Sequence, residues 1–229
     1  MTQLPGHDAA PRISGQVCAM LAVDIAEFTR ADRDDEIQLH LRTSLYGILH
    51  EALSESGMPW EQGQYEDRGD GVLVIFSPDL AAQPIIDSLP ERLTCLIRRH
   101  NRLSLEPARL QLRVAAHVGP VYCDEHGFAG DDVTFVCRML DAQPLRRALC
   151  ESGAELALII SDYVYEKLVL RRRSLADHRS FRLERTQVKR TRWAPGSTCP
   201  PGRRCSQART VTPRPPHRIE RPQAVARRA

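Results

Sequence analysis

Residues 62–76 read QGQYEDRGDGVLVIF. Two strand-like runs, 62–67 and 72–76, flank the tight Arg68-Gly69-Asp70-Gly71 turn, which is a hairpin signal. Upstream, residues 17–25 (VCAMLAVDI) are almost continuously apolar, as expected of a strand covered on both faces. Between the two lies a helical pattern in which Ile37, Leu41, Leu45, Ile48, Leu49, Ala52 and Leu53 share one face. Asp34, Asp35 and Glu36 sit at its positive end, and Gly57 and Pro59 stop it. The chain thus opens β-α-β-β.

Downstream, a second helical region covers about residues 80–103. It contains Pro84 and Pro90, so its first turns are irregular or it starts near Pro90. Strands are expected at 110–116 and 118–123, around Gly119-Pro120, and helices at 132–141 and 144–150. A strand at 156–160, a helix at 162–170 and a last strand at 180–189 follow. The order β-α-β-β-α-β, with further elements after it, is that of an α+β ferredoxin-like core extended by C-terminal strands and helices. Residues 1–16 read as a flexible N-terminus and 17–190 as one domain. Residues 191–229, rich in Arg and Pro with few apolar side chains, read as a disordered tail.

The composition of the 229 residues, 42% apolar and 27% charged, is that of an ordinary globular chain and excludes collagen-like or wholly disordered classes. Aromatics make up only 5%, so the core must rest on Leu, Ile, Val and Ala. No apolar run approaches the roughly 20 residues of a membrane helix, and the first residues lack a signal-peptide pattern, which points to the cytoplasm. Seven scattered cysteines fit reduced thiols better than a disulfide framework; Cys199 and Cys205 lack the second ligand pair a zinc site needs. The net charge of +3 conceals a division: from Arg190 onward ten Arg face one acid, whereas the rest of the chain is acidic. Basicity confined to the tail gives no ground for specific nucleic-acid binding.

Two acids stand out by position. Asp24 ends the first apolar strand, and Asp70 lies in the Gly-flanked hairpin turn, where Gly69 and Gly71 let the backbone approach closely. In a ferredoxin-like sheet these two elements are neighbours. Adjacent carboxylates repel unless a cation lies between them, and Mg²⁺ favours one or two carboxylates together with substrate phosphates. Taken alone, an Asp between two glycines is an ordinary turn former.

Five segments add to this: AVDIAEFT (22–29), EDRGDGVLVIF (66–76), LRVAAHVGPV (112–121), GDDVTFVCRMLDA (130–142) and FRLERTQVK (181–189). In order and spacing they resemble the catalytic domain of class III nucleotide cyclases, the family of adenylate and guanylate cyclases. The resemblance implies that two divalent cations, Mg²⁺ or Mn²⁺, are held at Asp24, Ile25 and Asp70. It implies that the backbone from Ile25 to Thr29, with Phe28 and Thr29, meets the triphosphate of a nucleoside triphosphate, and that Lys189 binds its terminal phosphates. Arg138 matches the family's Arg on the transferring phosphate. The resemblance further implies a homodimer, in which Asp24 and Asp70 come from one protomer and Glu66, Thr134, Arg138 and Lys189 from its partner.

Three positions depart from the family pattern. Glu66 replaces the adenine-reading Lys; a carboxylate only accepts hydrogen bonds and suits a base edge presenting N–H groups, as guanine does and as uracil N3–H would. Gly127 stands at the second base-reading position and has no side chain, and Thr134 replaces the ribose-orienting Asn. The resemblance therefore implies a cyclase with GTP slightly preferred. It leaves open a pyrimidine cyclase of an anti-phage system and a non-catalytic cyclase-like domain that binds nucleotide or regulates a partner. A diguanylate-cyclase-like palm enzyme is weaker, because its Gly-Gly-acidic-acidic-Phe signature is absent. His117 reads as a packed strand-end residue, Cys137 and Cys150 as small buried side chains, and Arg171 to Arg173 as cations at a helix end.

Overall fold

The first strand, β1 (Ser14–Ile25), runs through the middle of a mixed sheet because both of its faces are apolar. Ala19, Leu21, Val23 and Ile25 enter one core, while Cys18, Met20 and Ala22 enter a second core on the opposite face. This is the two-residue alternation of a strand sandwiched between helical layers. The computed structural model describes residues 14–171, 182–184 and 208–211.

Helix α1 (Asp35–Glu55) begins at Asp34, whose carboxylate accepts the Ile37 amide at 2.9 Å and so satisfies one of the orphan donors of the first turn. Its apolar stripe from Leu41 to Leu53 is buried as the spacing requires, with Ile37 half-buried at the rim. Strands β2 (Gly63–Asp67) and β3 (Gly71–Phe76) pair antiparallel across the expected turn. The Arg68 amide donates to the Gly71 carbonyl at 2.9 Å, and Gly69 takes φ +84, a left-handed conformation that favours glycine. Helices α2 (Pro84–Asp87) and α3 (Leu89–Leu103) lead to β4 (Leu112–Asp124).

The order β2-β3-β1-β4, antiparallel at each step, is the ferredoxin-like core. Residues of α1 and α3 fill the first core. Beyond β4 come β5 (Gly127–Ala129), α4 (Asp131–Leu140), α5 (Gln143–Ser152) and β6 (Leu156–Ser161). Residues of α4 and α5 fill the second core, and β6 adds to β4 in parallel. The short helix α6 (Asp162–Val164), a π-helical segment at Tyr165–Leu170, β7 (Arg182–Glu184) and β8 (Ala208–Val211) complete the described elements. No described helix is long and apolar enough to cross a membrane.

Several elements differ from the sequence expectation. Gly119-Pro120 does not divide two strands: β4 runs through it, with Gly119 opposite Cys18 and Pro120 opposite Val17 in β1. The pairing of β4 with β6 stops at Ala116, so Pro120 lies where the second edge of β4 is open, and a missing donor is tolerated at such an edge. Strand β5 was not expected. The region from residue 80 divides into α2 and α3, with Pro84 and Pro90 each in a first turn. Residues 14–16 belong to β1 rather than to a flexible N-terminus. Residues 208–211 fell in the expected disordered tail, but they form β8, paired with β6 and β7, so that expectation fails at these four positions. Of the expected strand at 180–189, residues 182–184 are seen as β7; Lys189 lies outside the described residues.

Gly71 faces Asp24 across the β1–β3 pair, and a Cβ placed there would fall on the Val23 carbonyl oxygen and within 2.9 Å of the Asp24 Cα. By contrast, Gly47 on exposed α1 has no neighbour within 4 Å of such an atom. Gly71→Ala is expected to lower the urea midpoint by the equivalent of about 1–3 kcal/mol, and Gly47→Ala to raise it by about 1 kcal/mol. Equal effects of the two substitutions would show that the β1–β3 approach is not tight.

Candidate functional site

Asp24 ends β1 with its side chain on the face of the second core, and only 6% of its surface is exposed. Its register partner in β4 is Arg113, and the two side chains meet bidentately, Nε to Oδ1 at 2.8 Å and Nη2 to Oδ2 at 2.7 Å. The Ile25 amide donates to the Asp70 carbonyl oxygen at 3.0 Å, which ties the hairpin turn to the end of β1 beside Asp24. Burial pushes the Asp24 carboxyl up to about 6. Arg113 pulls it down, and the charges of Asp70 and Asp141 push it further up. Desolvation therefore outweighs even a bidentate guanidinium, as is common for buried pairs.

The charges around Asp24 are unevenly compensated. Asp141 pairs with Arg146 at 3.1 Å, whereas no basic side chain lies within ion-pairing distance of Asp70 among the described residues. A half-buried carboxylate with no ion-pair partner beside a buried one has the chemistry of a hard-cation site completed by substrate oxygens. The donors present fit a divalent cation in that sense. No cluster of three or more His, Cys, Asp or Glu side chains arranged for a metal occurs among the described residues.

The turn after Asp24 covers residues 26–29. The Ile25 amide is spent on Asp70, and the Ala26 amide donates to the Gln111 carbonyl at 2.9 Å. Among the described residues no acceptor faces the amides of Glu27, Phe28 and Thr29. Glu27 has φ +53, the one positive value at a non-glycine residue among those described. Phe28 packs its ring against the first core, and Thr29 is exposed.

Glu66 and Gly127 adjoin within one chain. Glu66 Oε2 accepts the Phe128 amide at 3.2 Å, and Oε1 pairs with Arg68 at 2.9 Å. A Cβ on Gly127, which has φ +124, would stand 2.8 Å from Glu66 Oε2. The carboxylate thus fills the space a side chain at 127 would take. Neither Glu66 nor Thr134 shares a hydrogen bond or ion pair with Asp24 or Asp70 among the described residues.

Thr134 and Arg138 are four residues apart on the exposed face of α4, opposite the buried Val133, Val136 and Met139. The helix is held at its start by His117, which is only 4% exposed. His117 Nε2 meets Asp132 Oδ1 at 2.9 Å and Nδ1 meets Ser161 Oγ at 2.8 Å. Ser161 Oγ also accepts the Val164 amide at 3.3 Å, so the same hydroxyl ties the imidazole to the start of α6. Gly119 gives Asp132 the room to approach, since a Cβ there would lie 2.6 Å from the Asp132 Cγ. His117 is packed as expected, but within β4 rather than at a strand end, and it also anchors the helix that carries Arg138.

The structure brings Asp24, Ile25 and Asp70 together, sets Glu66 against Gly127, and aligns Thr134 with Arg138. Sequence reasoning missed Arg113 and Arg33. An Arg within the apolar run 112–116 was a readable signal for Arg113, whereas its register opposite Asp24 was not. Arg33 sits in the charged run ADRDDE and looks like any solvated cation.

No protein-family model matches the chain, and no curated protein is similar to it by sequence. Solved structures are similar. The adenylate/guanylate cyclase/hydrolase from Silicibacter pomeroyi superposes with a TM-score of 0.56 at 20% identity, over 86% of this chain and 97% of that one. The guanylyl cyclase Cya2 gives 0.54 at 15% identity, over 90% and 95%. The guanylate cyclase domain of RhGC from Catenaria anguillulae, solved in complex with GTP, gives 0.53 at 16% identity, over 90% and 100%. At these identities the likeness is one of fold, and the fold of this chain is the class III cyclase-like architecture that these structures share.

Proposed function

We propose that this chain converts a nucleoside triphosphate to a 3′,5′-cyclic nucleotide and pyrophosphate, at a site completed by a second copy of the chain. The observation that carries this reading is the close approach of β3 to β1 at Gly71, which sets Asp70, without an ion-pair partner among the described residues, beside the buried Asp24. The fold shared with solved guanylate cyclase domains supports it.

The chain's own groups divide the work. Asp24 and Asp70, with Ile25 beside them, would hold divalent cations, Mg²⁺ or Mn²⁺, and these supply charge neutralisation for the triphosphate and a lowered pKa for the ribose 3′ hydroxyl. The outward amides of residues 27–29, with Phe28 and Thr29 beside them, donate to phosphate oxygens. Arg138 offers a planar donor fork to the equatorial oxygens of the phosphate under attack, where charge spreads in the transition state. The Thr134 hydroxyl, on the same face of α4, donates to the ribose. Lys189 binds the terminal phosphates. In a two-fold dimer, Arg138, Thr134, Glu66 and Lys189 of one copy meet Asp24 and Asp70 of the other, giving two equivalent sites.

Glu66 bears on the base. Each of its oxygens keeps acceptor capacity beyond the Phe128 amide and Arg68, so an edge presenting N–H groups is favoured, guanine first and uracil next. The same engagement supports a second reading, a cyclase-like domain that binds nucleotide without turning it over, because Glu66 is already held and Thr134 is shorter than an amide.

Incubation with each of the four nucleoside triphosphates and Mn²⁺, with products resolved by mass, is expected to yield a cyclic nucleotide, most from GTP. That product is expected to vanish in Asp24→Ala and Asp70→Ala and to fall about 10²–10³-fold in Arg138→Ala. Nucleotide binding without product from any triphosphate would contradict catalysis and favour the second reading.

A pH dependence also follows. Asp24 must be ionised to hold a cation and titrates at about 6, so Mn²⁺ affinity, followed by electron paramagnetic resonance, is expected to fall up to about tenfold per pH unit below that value. The sign for folding is opposite. With no cation present, the native state takes up a proton at a pH where an unfolded Asp remains ionised. This carboxyl therefore disfavours folding above about 6, and that cost disappears as pH falls toward the ordinary Asp range. An affinity that is flat down to the ordinary Asp range would contradict the raised Asp24 pKa.

A further inference from the structure

Arg33 lies between the turn at residues 26–29 and α1, and only 7% of its surface is exposed. No carboxylate pairs with it among the described residues. All hydrogen bonds of its guanidinium run to backbone carbonyls: Nε to Pro107 at 3.0 Å, Nη1 to Ala26 at 3.2 Å and to Glu27 at 3.0 Å, and Nη2 to Arg109 at 2.8 Å. Burying a guanidinium without a counter-ion is costly, and Arg remains charged at any ordinary pH. A fixed positive charge therefore stands directly behind the turn.

The geometry of the peptide bond makes this consequential. In a trans peptide the C=O and the following N–H point in opposite directions, and the described chain contains no cis bond. The Ala26 carbonyl shares a peptide plane with the Glu27 amide, and the Glu27 carbonyl shares one with the Phe28 amide. By drawing both carbonyls onto Nη1, Arg33 turns both amides away from itself. These are two of the amides that no acceptor faces. Glu27 is held left-handed between the two planes, a conformation disfavoured for a residue with a Cβ.

We propose that Arg33 is the positioning residue of the triphosphate-binding turn: its guanidinium sets the peptide planes of residues 26–28 with their amides outward and places its charge behind them. This rests on the cyclase reading above and adds the residue that shapes its phosphate site. A Lys at 33 keeps the charge but cannot reproduce the planar fork that reaches four carbonyls.

The test uses the full chain and inorganic tripolyphosphate as probe. In wild-type protein, nuclear magnetic resonance is expected to show the Glu27 and Phe28 amides shifting on addition of tripolyphosphate, while Ile25 and Ala26, bonded to Asp70 and Gln111, stay in place. Arg33→Lys is expected to raise both the tripolyphosphate dissociation constant and the KM for nucleotide at least tenfold, with kcat changed less than threefold. A lower melting temperature with unchanged KM and unchanged tripolyphosphate affinity would reduce Arg33 to a structural tie and overturn the inference. Should Arg33→Lys not fold, the wild-type spectra decide: no shift at residues 27 and 28 overturns the inference, and shifts there support it. Shifts at these amides with no cyclic product from any nucleotide would sink the cyclase reading while supporting the positioning role.

Discussion

The site depends on a place in the sheet where two strands come too close for a side chain. Opposite Asp24, β3 must carry glycine, because any Cβ at residue 71 would fall on the backbone of Val23 and Asp24. That contact lets the hairpin turn hook its Asp70 carbonyl onto the Ile25 amide and sets one carboxylate beside another at the end of a buried strand. Without the hairpin's close approach Asp70 would be an ordinary turn residue, and Asp24 a buried acid paired with Arg113.

Two missed arginines give the site its electrostatic character, and they act differently. Arg113 reaches Asp24 from the adjacent strand and partly offsets the cost of burying a carboxylate, yet burial still dominates. The Arg33 guanidinium bonds only to carbonyl oxygens and has no ion-pair partner among the described residues, so a buried positive charge lies against the turn. Residues 25–27 thus contact both the acidic pair, through the Ile25 amide, and a buried cation, through the Ala26 and Glu27 carbonyls. Such an arrangement suits a ligand that brings cations to the acids and oxygens to the amides, as a nucleoside triphosphate with its divalent ions does.

Much of the fold was legible because burial on both faces leaves an unbroken apolar run, as in residues 17–25 and 72–76, and because the stripe of α1 repeats at helical spacing. Gly119-Pro120 misled because those residues usually break strands, and only the register shows that β4 has an open edge there. Strand β5, at three residues, has no period to read, and β8 is four residues within an Arg/Pro-rich composition. Among the candidate site residues, Asp24, Asp70, Thr134 and Arg138 were visible through motif order. The reason for Gly127 was not, since it lies in a carboxylate sixty-one residues earlier that occupies the space beside it. Arg33 was hidden because burial, and not sequence, distinguishes it from its charged neighbours.

The central claim is that the carboxylates of Asp24 and Asp70 act as one cation site. A double-mutant cycle on Mn²⁺ affinity, with Asp24→Asn, Asp70→Asn and the double variant compared by titration calorimetry at neutral pH, tests it most directly. Each single substitution is expected to remove nearly all of the affinity, and the second to add almost nothing. Independent, additive losses, or an Asp70→Asn variant that binds Mn²⁺ like the wild type, would contradict it.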